Sequence, residues 1–220
     1  MTDLVVEMQR YYERRAPIYD HSMGYDDVER VAALKPVTAL VSEAFASRTV
    51  LEIACGPGFW TGWYGGVARG VVATDFNATM LREARRKKAL ARGVSLLAAD
   101  AYALPFEGRP FDAALAGDWL AHVPMKRMAD FLDGLHATLL PGSRVVFIDQ
   151  SPGSHSIQAF DDEGNHVQTR SLPDGSTYRV IKHFLSDTEI ESVVGAYARG
   201  RVVISRFPEI RRVVVSYETT

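Results

Sequence analysis

The sequence contains a single cysteine, Cys55, in 220 residues. An internal disulfide is excluded, so stability has to come from a packed core rather than covalent staples. No run of about 18 apolar residues occurs, and no membrane-spanning helix is expected. The first residues, Met1-Thr2-Asp3-Leu4, lack the basic start and long apolar centre of a secretory signal. With the lone cysteine, this makes a cytoplasmic location the expectation. Positive charge is not in excess: 25 Lys and Arg stand against 27 Asp and Glu, a net charge of -2. That balance does not suit a nucleic-acid binder. His155, His166 and His183 lack ligand spacing, so no metal site is expected. Internal repeats and low-complexity tracts are also missing. What is present, at 47% hydrophobic residues, suits one α/β domain with appended pieces.

The most informative stretch is Val50-Leu51-Glu52-Ile53-Ala54-Cys55-Gly56-Pro57-Gly58-Phe59-Trp60-Thr61. Its first half is short, β-branched and bounded by glycine, which reads as a buried strand. Gly56 and Gly58 allow backbone angles closed to other residues and let a ligand approach the main chain. Val71 to Asp75 is a second apolar run ending in a carboxylate, and Val94 to Ala101 a third that contains Asp100. An acidic residue placed as Asp75 is can accept from ribose hydroxyls in dinucleotide folds. Strands with polar residues at their carboxyl ends suit a parallel sheet whose ligand lies outside those ends.

These residues resemble a family. Leu51 to Gly58, Ala73-Thr74-Asp75, Ala99-Asp100-Ala101, Phe111 to Pro124 and Leu139 to Phe147 look like the successive motifs of class I S-adenosylmethionine-dependent methyltransferases, closest to the small-molecule, metabolite and quinone-type group. Ala54 departs from the pattern, standing where many members have a glycine. The resemblance implies a Rossmann-like, doubly wound, seven-stranded sheet. It would be mostly parallel, with an antiparallel C-terminal strand, an N-terminal helical cap and an insertion after the fifth strand. It divides a single domain into a cap (1–46), a cofactor core (47–150), an insertion (151–183) and a C-terminal helix and strand pair (184–220). The cofactor implied is S-adenosylmethionine, leaving as S-adenosylhomocysteine. Glu52, Ala54, Gly56, Gly58, Asp75, Phe76, Asp100, Ala101 and Asp118 would hold it, with Asp100 accepting from the adenine amine and the Ala101 amide meeting a ring nitrogen.

In chain order, Leu4 to Arg15 reads as an amphipathic helix broken by Pro17. The segment Tyr11 to Asp20 resembles the part that closes over the cofactor in small-molecule methyltransferases. Tyr12 and Tyr19 are candidate catalytic contacts there; the alternative is that both pack the helix onto the domain. Asp26 to Ala46 reads as one helix kinked at Pro36. Crossover helices are expected over Phe59 to Ala68, with its N-terminus facing the cofactor, and over Asn77 to Arg92. The basic run from Arg82 to Lys88 is a solvated helix face, since no aromatic platform interleaves it. His122 follows the fourth strand and is a candidate general base. It could equally cap or pack the next turn. An Asn/Asp-Pro-Pro-aromatic tetrad is absent there, which counts against nucleic-acid or protein-amide methylation.

Met125 to Leu140 is expected as a helix ended by Pro141-Gly142, followed by a strand over Arg144 to Asp149. His166 to Arg170 and Thr177 to Ile181 can pair around an Asp174-Gly175 turn. A capped helix runs from Ser186 to Gly200, and two terminal strands, Arg201 to Ser205 and Arg211 to Tyr217, can lie antiparallel. Tyr11, Trp119, Gln150, Arg170 and Tyr178 are the substrate-side candidates. Tyr11, Tyr12, Tyr19, Trp119 and Tyr178 could form an aromatic pocket for an aromatic or cationic acceptor. The activity implied is methyl transfer to a hydroxyl or amine of a metabolite or natural product, by a monomer or homodimer. The rivals are an NAD-dependent oxidoreductase, which Thr61 disfavours by replacing the third glycine of its fingerprint, and a non-catalytic cofactor-binding module.

Overall fold

The computed structural model describes residues 3–87, 90, 92–153 and 159–220. His155, and Lys88 and Ala89 of the expected second crossover helix, lie outside the described residues. Helix α1 (Asp3–Arg15) ends where Pro17 enters a short 3-10 turn, and α2 (Tyr19–Met23) closes on left-handed Gly24. The helix expected over 26–46 is instead two, α3 (Val28–Ala33) and α4 (Lys35–Phe45). Pro36 lies in the first turn of α4, where a missing N–H costs nothing, so the chain restarts a helix rather than kinking one.

The core then alternates. β1 (Thr49–Ile53), α5 (Phe59–Tyr64), β2 (Gly70–Asp75), α6 (Ala78–Arg86), β3 (Val94–Ala98), β4 (Phe111–Gly117), α7 (Met128–Ala137) and β5 (Leu139–Gln150) follow in order. Helix α5 stops before Gly65 and Gly66 rather than reaching Ala68, as glycine's weak helical propensity favours. Likewise α6 ends at Arg86, not Arg92. Helix α7 gives way to β5 earlier than expected. Leu139 already pairs with Phe111, and the register shift between Phe111 and Ala113 absorbs Pro141-Gly142 inside the strand.

Beyond the core, β6 (Ala159–Phe160), β7 (His166–Ser171) and β8 (Thr177–Ile181) make a separate three-stranded sheet around the Asp174-Gly175 turn. Helix α8 (Asp187–Val194) has the reciprocal Ser186–Glu189 cap, and ends before Gly195 instead of running to Gly200. β9 (Val203–Phe207) and β10 (Arg212–Glu218) complete the main sheet.

The main sheet has seven strands in the order β3-β2-β1-β4-β5-β10-β9, parallel from β3 to β5, with β10 antiparallel to both neighbours. This is the expected doubly wound architecture. Strand order reverses between β1 and β4, so their carboxyl ends open a crevice suited to a ligand. One core packs β1, β4 and β5 against α7 and α8, and a second packs the sheet against α4, α5 and α6. A third joins Leu4, Met8 and Tyr11 of α1 to Val180 and Ile181 of β8. The appended sheet and the N-terminal helix therefore form one cap. Among the described residues no helix is long and apolar enough to cross a membrane.

Glu52 locks α5 onto β1. Its buried carboxylate accepts from Thr61 Oγ1 at 2.6 Å and Tyr64 Oη at 2.7 Å. Burial pushes this carboxyl up from 4.5 to about 7, against those two hydrogen bonds. The folded state thus keeps a proton that the unfolded chain releases earlier, so this contribution is whole below pH 4.5 and fades as pH rises through 7. The linkage is worth roughly 3 kcal/mol. We predict that urea denaturation at about pH 5 and about pH 8 shows a smaller loss of stability with rising pH in Glu52→Gln than in the parent.

Candidate active site

The loop after β1 turns by left-handed residues: Ala54 has φ 52° and Gly56 φ 54°. Alanine takes this conformation at some strain where a glycine would take it freely. At Gly56 a Cβ would meet no atom within 4 Å, so the missing side chain leaves room for a ligand against the main chain. The loop is tied to β2 by one carboxylate. Asp75 accepts from the amides of Gly56 at 2.9 Å and Asn77 at 2.8 Å. Burial raises the Asp75 carboxyl to about 6, and those amides oppose the shift. Gly58 does different work. A Cβ there would lie 3.6 Å from Ala84 of α6 and 3.3 Å from Leu90 beyond it.

A cavity of about 840 Å³ opens above this loop. Ala54, Gly56, Asp75, Phe76, Asp100 and Ala101 line it, six of the nine residues expected to hold the cofactor. Asp118 is a seventh. Asp100 accepts from the Tyr102 amide at 2.9 Å, which orients its carboxylate. Trp119 belongs to this wall and not to the substrate side; its buried Nε1 has no partner among the described residues. Two carboxylates, exposed Phe76 and a free indole donor fit an adenosine-bearing ligand. Glu52 does not line the cavity, because its carboxylate is spent beneath the loop on Thr61 and Tyr64. Gly58 and α5 are absent from the wall too, where the sequence led the N-terminus of that helix to be expected.

A second cavity, about 1240 Å³, adjoins the first. Tyr12, Tyr19, Asp118 and His122 line both, so the two spaces meet at these side chains. His122 is buried. Its Nδ1 faces the Ile181 carbonyl, which can only accept, so the ring proton sits on Nδ1. Nε2 is then an acceptor, and Tyr12 Oη donates to it at 2.9 Å. Burial, reinforced by Lys182, holds the imidazole well below its ordinary 6.5, and burial raises the Tyr12 phenol. The pair is neutral at physiological pH, with the phenol standing on Nε2.

Asp118 forms the partition. It is itself left-handed (φ 54°), and its carboxylate meets Arg212 Nη1 at 2.6 Å, Gln150 Nε2 at 3.0 Å and Tyr25 Oη at 3.1 Å. Burial would raise its pKa, but Arg212 and Lys182 prevail and hold it near 2. Tyr11, Gln150 and Arg170 line the second cavity as expected. Tyr178 does not: its hydroxyl accepts from Arg14 and its ring leans on Tyr11, 5.8 Å between centroids, so it braces the cap. Sequence reasoning missed Arg15, Tyr25, Lys182, Arg211 and Arg212, which belong to this wall. Arg15 lies in the cofactor-closing segment without having been singled out, the other four sit in segments with no motif, and only the fold gathers them. A cationic acceptor, one of the options read from the tyrosines, would meet this row of positive charges.

A family profile described as a methyltransferase domain matches residues 50–142. The 2-phytyl-1,4-naphtoquinone methyltransferase of Nostoc punctiforme is 28% identical over 161 residues, 70% of this chain and 69% of that one. The demethylmenaquinone methyltransferase of Clavibacter sepedonicus is 32% identical over 145 residues, 66% of this chain; the chain spans 56% of that protein. The solved complex of DhpI with SAM and HEP superposes with a TM-score of 0.79 at 26% identity, over 98% of both chains. We predict that Asp75→Ala weakens S-adenosylmethionine and S-adenosylhomocysteine binding by about tenfold or more in calorimetric titration, through loss of a charged acceptor and release of the Gly56 amide.

Proposed function

We propose that this chain, a class I S-adenosylmethionine-dependent methyltransferase acting on a small molecule, methylates an oxygen of that acceptor. The first cavity takes the cofactor, with Asp75 accepting from the ribose hydroxyls and Asp100 from the adenine amine. Phe76 and Trp119 supply apolar flanks. When bound, S-adenosylmethionine supplies an activated methyl whose carbon–sulfur bond breaks with the electron pair left on sulfur as the acceptor oxygen bonds to carbon. The second cavity takes the acceptor and presents that oxygen where Tyr12, Tyr19, Asp118 and His122 border both spaces.

The observation that carries the reading is the Tyr12–His122 pair at this junction. An acceptor hydroxyl passes its proton to Tyr12 as Tyr12 gives its own to Nε2. The phenol is too weak an acid to stay ionised, so it conducts the proton and does not store it. The Ile181 carbonyl keeps the imidazole in the tautomer this requires. Holding both partners in line and out of water provides the rest of the catalysis. An amine acceptor fits less well, because an ammonium would face Arg15, Arg170, Lys182 and Arg212. The quinone substrates named for the two relatives are not carried over. Within the second cavity only Asp118 and His122 fall inside the matched stretch 50–142, and the wall around them is charged, unsuited to a lipid tail.

We also take the chain as a single domain with the cap, core, insertion and C-terminal segments set out above, a cytoplasmic monomer or homodimer that does not bind nucleic acid. The cap core between α1 and β8, the buried lone thiol of Cys55 and the net charge of -2 support this.

The test is release of S-adenosylhomocysteine across a panel of hydroxy and amino compounds. Hydroxy compounds should turn over; exclusive methylation of amines would overturn the assignment. With a working acceptor, His122→Gln should lower kcat by about a hundredfold, and Tyr12→Phe by a similar factor. Because the His122 pKa is depressed, parent kcat/KM should stay level as pH falls through 6.5, where an ordinary imidazole base would already be losing activity.

A further inference from the structure

The second cavity is strongly positive inside a protein whose net charge is -2. Arg15, Arg30, Arg170, Lys182, Arg211 and Arg212 line it, against the carboxylates of Asp118 and Glu209. Arg212 is spent on Asp118, 2.6 Å away with both side chains only 6% exposed. The others are not neutralised in this way. Arg15 gives its Nε to Ser22 Oγ at 2.9 Å, Arg170 gives Nη2 to Gln168, and Arg211 gives Nη2 to the Ser151 carbonyl at 3.3 Å. These partners are all uncharged, and none of the three arginines forms an ion pair among the described residues. Lys182 is the most telling. Its side chain is 2% exposed, and the carboxylate oxygen it pairs with, Asp149 Oδ1, stands 3.5 Å off. That is an ion pair too long for a good charge-assisted hydrogen bond. A buried ammonium held this loosely, among arginines whose guanidinium forks are free of carboxylates, is costly unless an anion sits with them.

We infer that the acceptor carries an oxyanion group, a phosphate, phosphonate or carboxylate, held in the second cavity by Lys182, Arg170 and Arg15. This deepens the proposed function and rests on its reading of that cavity as the acceptor's. Guanidinium forks match the paired oxygens of such groups, and Lys182 supplies a point charge from the floor. Gln150 adds an amide on the same wall. Asp118, paired with Arg212, is the carboxylate that borders both cavities. Tyr11, Tyr19 and Tyr25 share this wall, and Tyr12 borders both cavities. An oxyanion oxygen that takes the methyl has no proton to lose and gives an ester. A hydroxyl a few bonds away gives an ether, with its proton passing to Tyr12 and His122.

The test separates binding from turnover. Protein saturated with S-adenosylhomocysteine is titrated calorimetrically with inorganic phosphate, methylphosphonate and acetate, with ethylene glycol and ethylammonium as neutral and cationic controls. At least one oxyanion should bind and neither control should. Arg170→Gln, at an exposed position where folding is not at stake, should weaken that oxyanion by about tenfold, and Lys182→Met by at least as much. S-adenosylhomocysteine affinity should stay unchanged in both. Which oxyanion binds tightest distinguishes the phosphorus acids from the carboxylates. Absence of oxyanion binding, or binding indifferent to Arg170→Gln, overturns the inference, and turnover of neutral hydroxy compounds alongside it would leave the proposed function standing. Oxyanion binding that responds to both variants, with no methyl transfer to any hydroxy acid, would uphold the anion site and overturn the reading of an oxygen acceptor.

Discussion

Everything at the catalytic edge hangs on one buried charge pair, Asp118 with Arg212. Asp118 ends β4 in a left-handed conformation that costs an L-residue about 1 kcal/mol. The cost is carried because the turn aims its carboxylate at Arg212 on β10, Gln150 on β5 and Tyr25 beyond α2. One carboxylate thus joins the middle of the sheet, its antiparallel end and the N-terminal segment. Tyr25 in turn stacks on Phe59 with 3.5 Å between ring centroids, and Arg212 lies over the Trp60 ring, so the knot extends into the first turn of α5. Removing one partner of a buried pair typically costs about 3–5 kcal/mol, since the other charge is left stranded. The partition is therefore rigid, and the two cavities keep a fixed relation across it.

The division of labour follows from where the charges fall. The carboxylates of Asp75 and Asp100 line the first cavity, the one proposed for the cofactor. On the acceptor side the cations dominate. Between them lies the neutral imidazole of His122, whose tautomer is set by the backbone of β8, an element of the cap and not of the core. The cap therefore does more than cover the site, for it supplies the hydrogen bond that makes His122 Nε2 an acceptor.

The cofactor half is legible in the sequence because it is local. A short apolar run, a glycine turn and a carboxylate at the end of the next strand are each written within a few residues, and the strands at Val50, Val71, Val94 and Phe111 follow from them. The hairpin from His166 to Ile181 is legible for the same reason. The acceptor half is not. Arg15, Arg170, Lys182 and Arg212 come from four separate segments, and a composition with slightly more acid than base conceals their convergence. Tyr178 and Trp119 show the other limit: an aromatic can be recognised as belonging near a site, while the surface its ring serves depends on packing that no spacing encodes. Glu52 lies within the loop motif yet points beneath it, since strand alternation sends neighbouring side chains to opposite faces.

The cap has a bearing on how the protein is made. Glu7 of α1 holds Arg179 of β8, partners 172 residues apart in the chain. At ribosomal rates of about 5–20 residues per second, α1 emerges on the order of ten to thirty seconds before the strand it rests on exists. Through that interval the apolar side of α1, with Leu4, Met8 and Tyr11, has no native surface to cover it. The Rossmann strands β1 to β5 can already assemble, since their pairings close over far shorter separations. The nascent chain thus passes through a stage with a formed sheet and an unroofed crevice, in which His122 still lacks the carbonyl that fixes its proton. The Tyr12–His122 contact forms last, with the docking of the chain's beginning onto its late-made hairpin.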